Sequence, residues 1–144
     1  MKRHYMLQQR PEIDDSAAML MVEAARSHAL SIGVPQNIAV VDASGRLLAF
    51  CRMQGAKFHS VETSTAKAFT AASIAAPSGG APTEIGGILG ITTQGQFTNL
   101  KGGLPVIVDG HVAGAIGVGS GTPEQDVAVA QAAIDALMAA LDSI

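Results

Sequence analysis

The sequence is poor in the residues that several specialised protein classes require. It has one cysteine, Cys51, one tyrosine, no tryptophan and an aromatic content of only 3%. A single cysteine excludes an internal disulfide framework, and no second cysteine lies at the spacing of a zinc site. The chain also lacks an apolar run of about 18 residues, so no segment is predicted to span a membrane.

Charge is equally scarce. Charged residues make up 15% of the chain, and the net charge is -3. Because no basic stripe is interleaved with aromatic residues, nucleic-acid binding is not predicted. The first ten residues are polar and basic without an apolar region behind them, which argues against a secretory signal and favours a cytoplasmic protein. Hydrophobic residues reach 48%, so we expect exposed apolar surface and a homo-oligomer.

The 144 residues suit one domain with one core. We predict an N-terminal extension over residues 1–13 and a single domain over 14–144. Apolar periodicity and turn residues predict helices and two hairpins. The helices cover 14–32, 60–76 and 123–141; the strands cover 38–41, 47–53, 106–108 and 111–118, with a type I′ turn at Asp109-Gly110. Glycines interrupt every pattern between 78 and 103, so this segment is predicted to be irregular. The order indicates an α+β fold with an antiparallel sheet.

Two isolated cations are candidates for catalysis. Arg52 ends an apolar strand, where its guanidinium would hold a carboxylate, although a solvent-facing arginine or an interface ion pair is an equal alternative. Lys67 lies in the middle of the second helix without an acidic residue four positions away. Burial would lower its pKa toward the range of a base or a Schiff-base lysine, whereas most lone helical lysines simply reach water.

Histidines and glycine-rich turns supply further candidates. His59, before the second helix, and His28, near the end of the first, are each a candidate haem ligand, although single histidines are more often ordinary surface residues. The run 117–121 leads into the last helix, where free N–H groups would suit an anion, and close backbone packing explains it equally well. The remaining ligand-binding candidates are Gly102, Gly103, Ser120 and Asp126.

Several short motifs fall in a characteristic order along the chain. They are Val40-Val41-Asp42-Ala43-Ser44-Gly45, Arg52-Met53-Gln54-Gly55-Ala56, Lys67-Ala68-Phe69-Thr70-Ala71, Gly102-Gly103-Leu104-Pro105, Gly114-Ala115-Ile116-Gly117 and Glu124-Gln125-Asp126. Together they resemble the GlcG/HbpS-like family, also called the haem-degrading domain family, and the C-terminal domain of PduO-type proteins. The resemblance covers about residues 14–141.

The resemblance implies a profilin-like α/β/α arrangement around a five-stranded antiparallel sheet, in a large homo-oligomer. The fifth strand would have to come from residues 84–101. It also implies binding of a small ligand, with haem as the best-named one. The alternative is an enzyme acting on a small unsaturated or keto carboxylate, with Arg52 as the carboxylate clamp and Lys67 as the base or charge stabiliser. Gln54 departs from the family's usual Asp, which would leave Arg52 freer to meet an anion.

Overall fold

A computed structural model describes residues 6–144, which form four helices and four strands. His4, in the predicted N-terminal extension, lies outside the described residues. The elements in chain order are α1 (Asp15–Ser31), β1 (Asn37–Asp42), β2 (Leu47–Arg52), α2 (Ser60–Ile74), α3 (Thr83–Thr92), β3 (Gly103–Val108), β4 (His111–Gly119) and α4 (Pro123–Asp142).

The strands form one antiparallel sheet in the order β2-β1-β4-β3. Alternate residues of β1 face opposite sides of this sheet. Ile38 and Val40 pack into a core with α1 and α4, whereas Ala39 and Val41 pack against the alanines of α2. The sheet therefore lies between a two-helix layer and a one-helix layer, and the predicted α+β fold is confirmed.

Helix α2 lies unusually close to the sheet because glycines face it. A Cβ added to Gly117 would lie 2.0 Å from the carbonyl oxygen of Ser64 and 2.5 Å from the amide nitrogen of Ala68. Gly103 is similarly close to the carbonyl oxygen of Lys67. These contacts bring the backbone of α2 down onto the ends of β3 and β4, which determines where the side chain of Lys67 can reach.

The three predicted helices and both hairpins are present, with bounds that differ from the predictions by up to three residues. Asp109 and Gly110 both have positive φ, 51° and 77°, as a type I′ turn requires. The capping box at the start of α4 is also present, because Thr122 and Gln125 each bond to the backbone of the other.

The prediction for residues 78–103 is wrong in two respects. Helix α3 occupies part of the segment, and within residues 6–144 the sheet has four strands, so the fifth strand is absent. The glycines of α3 do not break it, because one of them makes room for a neighbour. A Cβ on Gly86 would lie 2.8 Å from the side chain of Asn99. Asn99 in turn bonds to both the N–H and the carbonyl oxygen of Ala81, at 3.0 and 2.7 Å.

Helix α3 leaves its other side uncovered. Ile85, Ile88, Leu89 and Ile91 are all exposed, Ile91 to 82%. Among the described residues the helix packs mainly against its own return segment around Phe97 and Asn99. No helix of the described residues has both the length and the apolar character needed to cross a membrane.

Candidate functional site

The site is built around a buried ion pair between two helices that are distant in sequence. Lys67 of α2 and Asp126 of α4 are 4% and 3% exposed, and Lys67 Nζ lies 3.0 Å from Asp126 Oδ2. The same ammonium group donates to the carbonyl oxygen of Val118 at 2.8 Å. The expectation of an unpaired Lys67 is therefore wrong, because its partner comes from the first turn of another helix.

Glycine at position 102 is what allows this pair to form. Gly102 has a φ of +128°, and an added Cβ would lie 3.0 Å from Lys67 Nζ and 3.1 Å from Asp126 Cβ. Any side chain here would fill the space that the lysine crosses. Gly102 and Gly103 thus serve the site by close backbone packing.

Asp126 is held by more than the lysine. Its Oδ1 accepts the N–H of Gly121 at 2.9 Å. It also accepts a side-chain N–H of the buried Gln36 at 2.9 Å when the amide of Gln36 is oriented with its nitrogen toward the neighbouring acceptors. Burial nevertheless dominates and raises the pKa of Asp126 above its ordinary value of 3.8, although the charge of Lys67 opposes the shift. The carboxylate is therefore held by hydrogen bonds on both oxygens while remaining a better proton acceptor than an exposed aspartate.

A cavity of about 220 Å³ opens beside the pair. We call it the Lys67 cavity. Most of its lining residues are polar, and lysines outnumber acids in it: Lys57, Lys67 and Lys101 against Asp126, with His59 alongside. Since Lys67 and Asp126 neutralise each other, the remaining charge is cationic. The other lining residues are Ser60, Thr63, Leu100, Ser120, Gly121 and Pro123.

Ser120 has a backbone conformation that few residues with a side chain adopt. Its φ is +95°, a conformation that costs about 1–3 kcal/mol for a residue other than glycine. The Ser120 hydroxyl oxygen accepts the backbone N–H of Lys57 at 2.9 Å. That bond leaves the hydroxyl hydrogen free to donate, so Ser120 offers the cavity a neutral hydrogen-bond donor.

The start of α4 is not an open anion site. The N–H of Gly121 bonds to Asp126, the N–H of Thr122 bonds to Gln125, and the N–H of Gln125 bonds to Thr122. These donors are satisfied by the helix itself. An anion in the cavity would instead meet side chains.

Known proteins show the same fold and sequence pattern. A family model described as "Haem degrading protein HbpS-like" matches residues 13–135. The chain is a member of the HbpS-like family. It is 39% identical over 136 residues to the "uncharacterized 15.0 kDa protein in dhaT-dhaS intergenic region" of Citrobacter freundii, covering 89% of this chain and 94% of that one. It is 34% identical to protein GlcG of Escherichia coli, covering 74% and 80%.

Solved structures agree with this membership. The crystal structure of Klebsiella pneumoniae protein ORFY has a TM-score of 0.84 at 35% identity and covers 92% of this chain and 94% of that one. The PduOC–haem complex has a TM-score of 0.76 at 27% identity, with coverage of 87% and 94%. The GlcG/HbpS-like resemblance noted from the motifs is therefore confirmed.

In this HbpS-like chain, the structure brings some of the predicted site residues together. Lys67, His59, Ser120 and Asp126 line one cavity, and Gly102 lies against Lys67 Nζ. Arg52 is exposed at the end of β2 and is absent from the cavity wall; its role as a carboxylate clamp stays a prediction.

Two other histidines, His28 and His111, lie away from the Lys67 cavity. His28 lies in the last turn of α1, in the layer on the other side of the sheet from α2, and His111 is exposed at the start of β4. The described residues contain no cluster of three or more His, Cys, Asp or Glu side chains that would hold a metal ion.

Four contributors to the site were missed by sequence reasoning. Gln36 and Asn37 are fully buried. The side-chain amide of Asn37 donates to the carbonyl oxygen of Lys57 at 2.8 Å. The side-chain oxygen of Asn37, Oδ1, has no hydrogen-bond donor among the described residues. The two amides directly before an apolar strand were the available signal, since polar residues are rarely buried without a role. Lys57 and Lys101 gave no signal, because isolated lysines are common on surfaces.

Proposed function

We propose that this protein binds a small carboxylate-bearing molecule in the Lys67 cavity. The observation that carries the proposal is the composition of the wall: the exposed Lys57 and Lys101, together with His59, line a site whose own acid, Asp126, is already paired with Lys67. A carboxylate entering it would meet cations and the free O–H of Ser120 without meeting an unpaired negative charge. The volume of 220 Å³ is below that of pockets for drug-sized ligands, which favours a small organic acid.

Calorimetric titration tests this binding. We expect 2-oxobutanoate to bind and its neutral amide not to bind, because the cationic wall recognises charge. The K57A/K101A double variant should lose about tenfold or more in affinity, equal to about 1.4 kcal/mol. Arg26→Ala, on the exposed side of α1, is the matched control for loss of a cation. Equal affinities for the acid and the amide would contradict the proposal.

Haem is a second candidate ligand, favoured by the similarity to the PduOC–haem complex and by His59. The His59 side chain makes no capping bond at the start of α2, so its imidazole is available to iron. Lys57 and Lys101 would pair with propionates. The cavity, at about 220 Å³, is too small to enclose a porphyrin, so the ring would lie across its outside. Phe58, which lies between Lys57 and His59 in the chain and is 79% exposed, would be free to contact it. Bound there, haem would supply redox chemistry, and the protein would hold it at the surface.

Titration with haemin, followed at the Soret band, tests the haem proposal. Wild type should shift the band at one equivalent of haemin per chain, and His59→Ala should lose that shift. His28→Ala is the matched control, because His28 lies on the other side of the sheet. A shift that survives His59→Ala would exclude this ligand, and a shift lost in His28→Ala would place haem at α1 instead.

We also propose that copies of the chain associate through α3. Its exposed face carries Ile85, Ile88, Leu89 and Ile91 with little charge, so a second copy of the same face would complement it. The double variant I88E/I91E should lower the mass measured by light scattering. Met19→Glu, at an exposed apolar position on α1, is the matched control. An unchanged mass in I88E/I91E would show that α3 is not the interface.

A further inference from the structure

The Lys67–Asp126 pair combines an acid and a base on the wall of one cavity. Lys67 Nζ and Asp126 Oδ2 are 3.0 Å apart, and both residues contribute to the wall. We propose that this pair catalyses keto–enol tautomerisation of a small 2-oxo acid bound in the Lys67 cavity. The inference rests on the proposed carboxylate binding and adds a reaction to it.

A proton of Lys67 remains available for the reaction. An ammonium group has three N–H donors, and the described residues supply two acceptors, the carbonyl oxygen of Val118 and Oδ2 of Asp126. Lys67 also contributes to the wall of the Lys67 cavity. A substrate atom in the cavity can therefore meet the third N–H.

The reaction balances within the pair. In the direction that forms the ketone, Lys67 gives a proton to the enol carbon, and a C–H bond forms as the C=C electron pair moves to that carbon. The enol O–H bond breaks, its electrons form the carbonyl group, and its proton passes to Asp126. Lys67 is now a neutral amine and Asp126 a neutral acid. A proton then crosses the 3.0 Å contact from Asp126 to Lys67 and restores the ion pair.

Burial gives a physical reason for assigning this pair a chemical role. A buried ion pair is often no more stabilising than apolar residues of the same volume, so stability alone does not account for it. Burial also raises the pKa of Asp126, which brings its basicity closer to the range in which general bases work. The cations Lys57 and Lys101 at the opening would hold the substrate carboxylate and orient the 2-oxo group inward.

Deuterium exchange at carbon 3 of 2-oxobutanoate in D₂O, followed by proton NMR, measures this reaction directly. We expect wild type to accelerate exchange about 100-fold or more over buffer, with saturation by substrate and inhibition by oxamate, which has no enolisable C–H. Lys67→Met and Asp126→Asn should reduce exchange to the buffer rate. Lys101→Ala should raise KM more than it lowers kcat, because Lys101 lies at the rim.

Several outcomes would overturn the proposal. If wild type exchanges deuterium no faster than buffer alone, the proposal is refuted. This outcome needs no variant, so a variant that fails to fold does not weaken the test. Trapping of a covalent adduct at Lys67 by borohydride would show Schiff-base chemistry instead of direct proton transfer. Calorimetric binding of 2-oxobutanoate without exchange would refute the reaction while leaving the proposed binding intact; no binding at all would refute both.

Discussion

Helices α2 and α3 depart from the usual distribution of residues in opposite ways. Helix α2 buries a charged lysine at its centre, with Lys67 only 4% exposed. Helix α3 exposes large aliphatic side chains, with Ile88 at 56% and Ile91 at 82%. Both helices carry few charges: Glu62 and Lys67 in α2, and Glu84 in α3.

The difference lies in what each helix has as a partner. Within the described residues, the buried charge of α2 is matched by Asp126 and by the carbonyl oxygen of Val118. The partners of this charge therefore come from the same chain. The apolar face of α3 has no such cover from the same chain. A buried charge with a buried counter-charge indicates a site, whereas an uncovered apolar face indicates an interface.

Breaking the buried pair from one side should have the largest effect. We expect Asp126→Ala to lower the free energy of unfolding by about 3–5 kcal/mol, because it leaves the Lys67 ammonium buried without its counter-charge. Urea denaturation measures the loss. Asp135→Ala, at an exposed position on the same helix, is the matched control, and the K67M/D126L double variant should recover part of the loss. A cost for Asp126→Ala as small as that of Asp135→Ala would show that the pair is not effectively buried.

Pushing α2 away from the sheet should have the next largest effect. Gly117→Ala places a Cβ against backbone atoms of Ser64 and Ala68 that cannot rotate aside. We expect a loss of about 1–3 kcal/mol in the free energy of unfolding, as for overpacking elsewhere. Carboxylate affinity should fall as well, since Lys67 moves with α2. Unchanged stability would mean that α2 shifts at little cost.

Much of the fold follows from local sequence patterns. The Asp109-Gly110 turn, the Thr122–Gln125 capping box and the apolar run 38–41 of β1 each depend on residues that are near one another in the chain, so their predicted places are close to the observed ones. Helix α3 was missed because its glycines hide the apolar pattern and because the contact that closes the segment, Asn99 with Ala81, is not local in sequence. That contact involves residues eighteen positions apart, beyond the reach of periodicity.

The site shows the same limit. The sequence indicates Lys67 as a candidate because a lone cation in an apolar helix is unusual. It indicates Ser120 and Asp126 only because they lie in or next to a glycine-rich helix start. Their meeting depends on a lysine reaching past Gly102 to a helix in another layer. Nothing within a few residues of Lys67 indicates that partner. The cationic character of the cavity was equally hidden, because Lys57 and Lys101 come together only through the fold.

Gly86 and Gly87, which are adjacent in α3, allow the effect of side-chain packing on stability to be measured apart from the effect of helix propensity. Gly87 has no atom within 4 Å of an added Cβ, so Gly87→Ala should raise the free energy of unfolding by about 0.5–1 kcal/mol through helix propensity. Gly86→Ala should lower it, because the new methyl group would meet Asn99 at under 3 Å. Thermal unfolding of the two variants measures the contrast. Equal shifts of the same sign would show that Asn99 does not hold α3 in place.

The smallest expected effect is a pH dependence that comes from Asp126. Because the folded pKa of Asp126 is raised above 3.8, the folded state binds the proton more tightly than the unfolded state does. This contribution therefore falls as pH rises from about 3.8 through the folded pKa, and it is constant above that. Urea midpoints of wild type, measured from pH 3.5 to 5.5 and compared with those of K67M/D126N, isolate the contribution of Asp126. The double variant lacks the Asp126 carboxyl group and its partner, the Lys67 ammonium group. A difference that grows with pH would mean that the Lys67 charge outweighs burial, and the pair would then be a purely stabilising one.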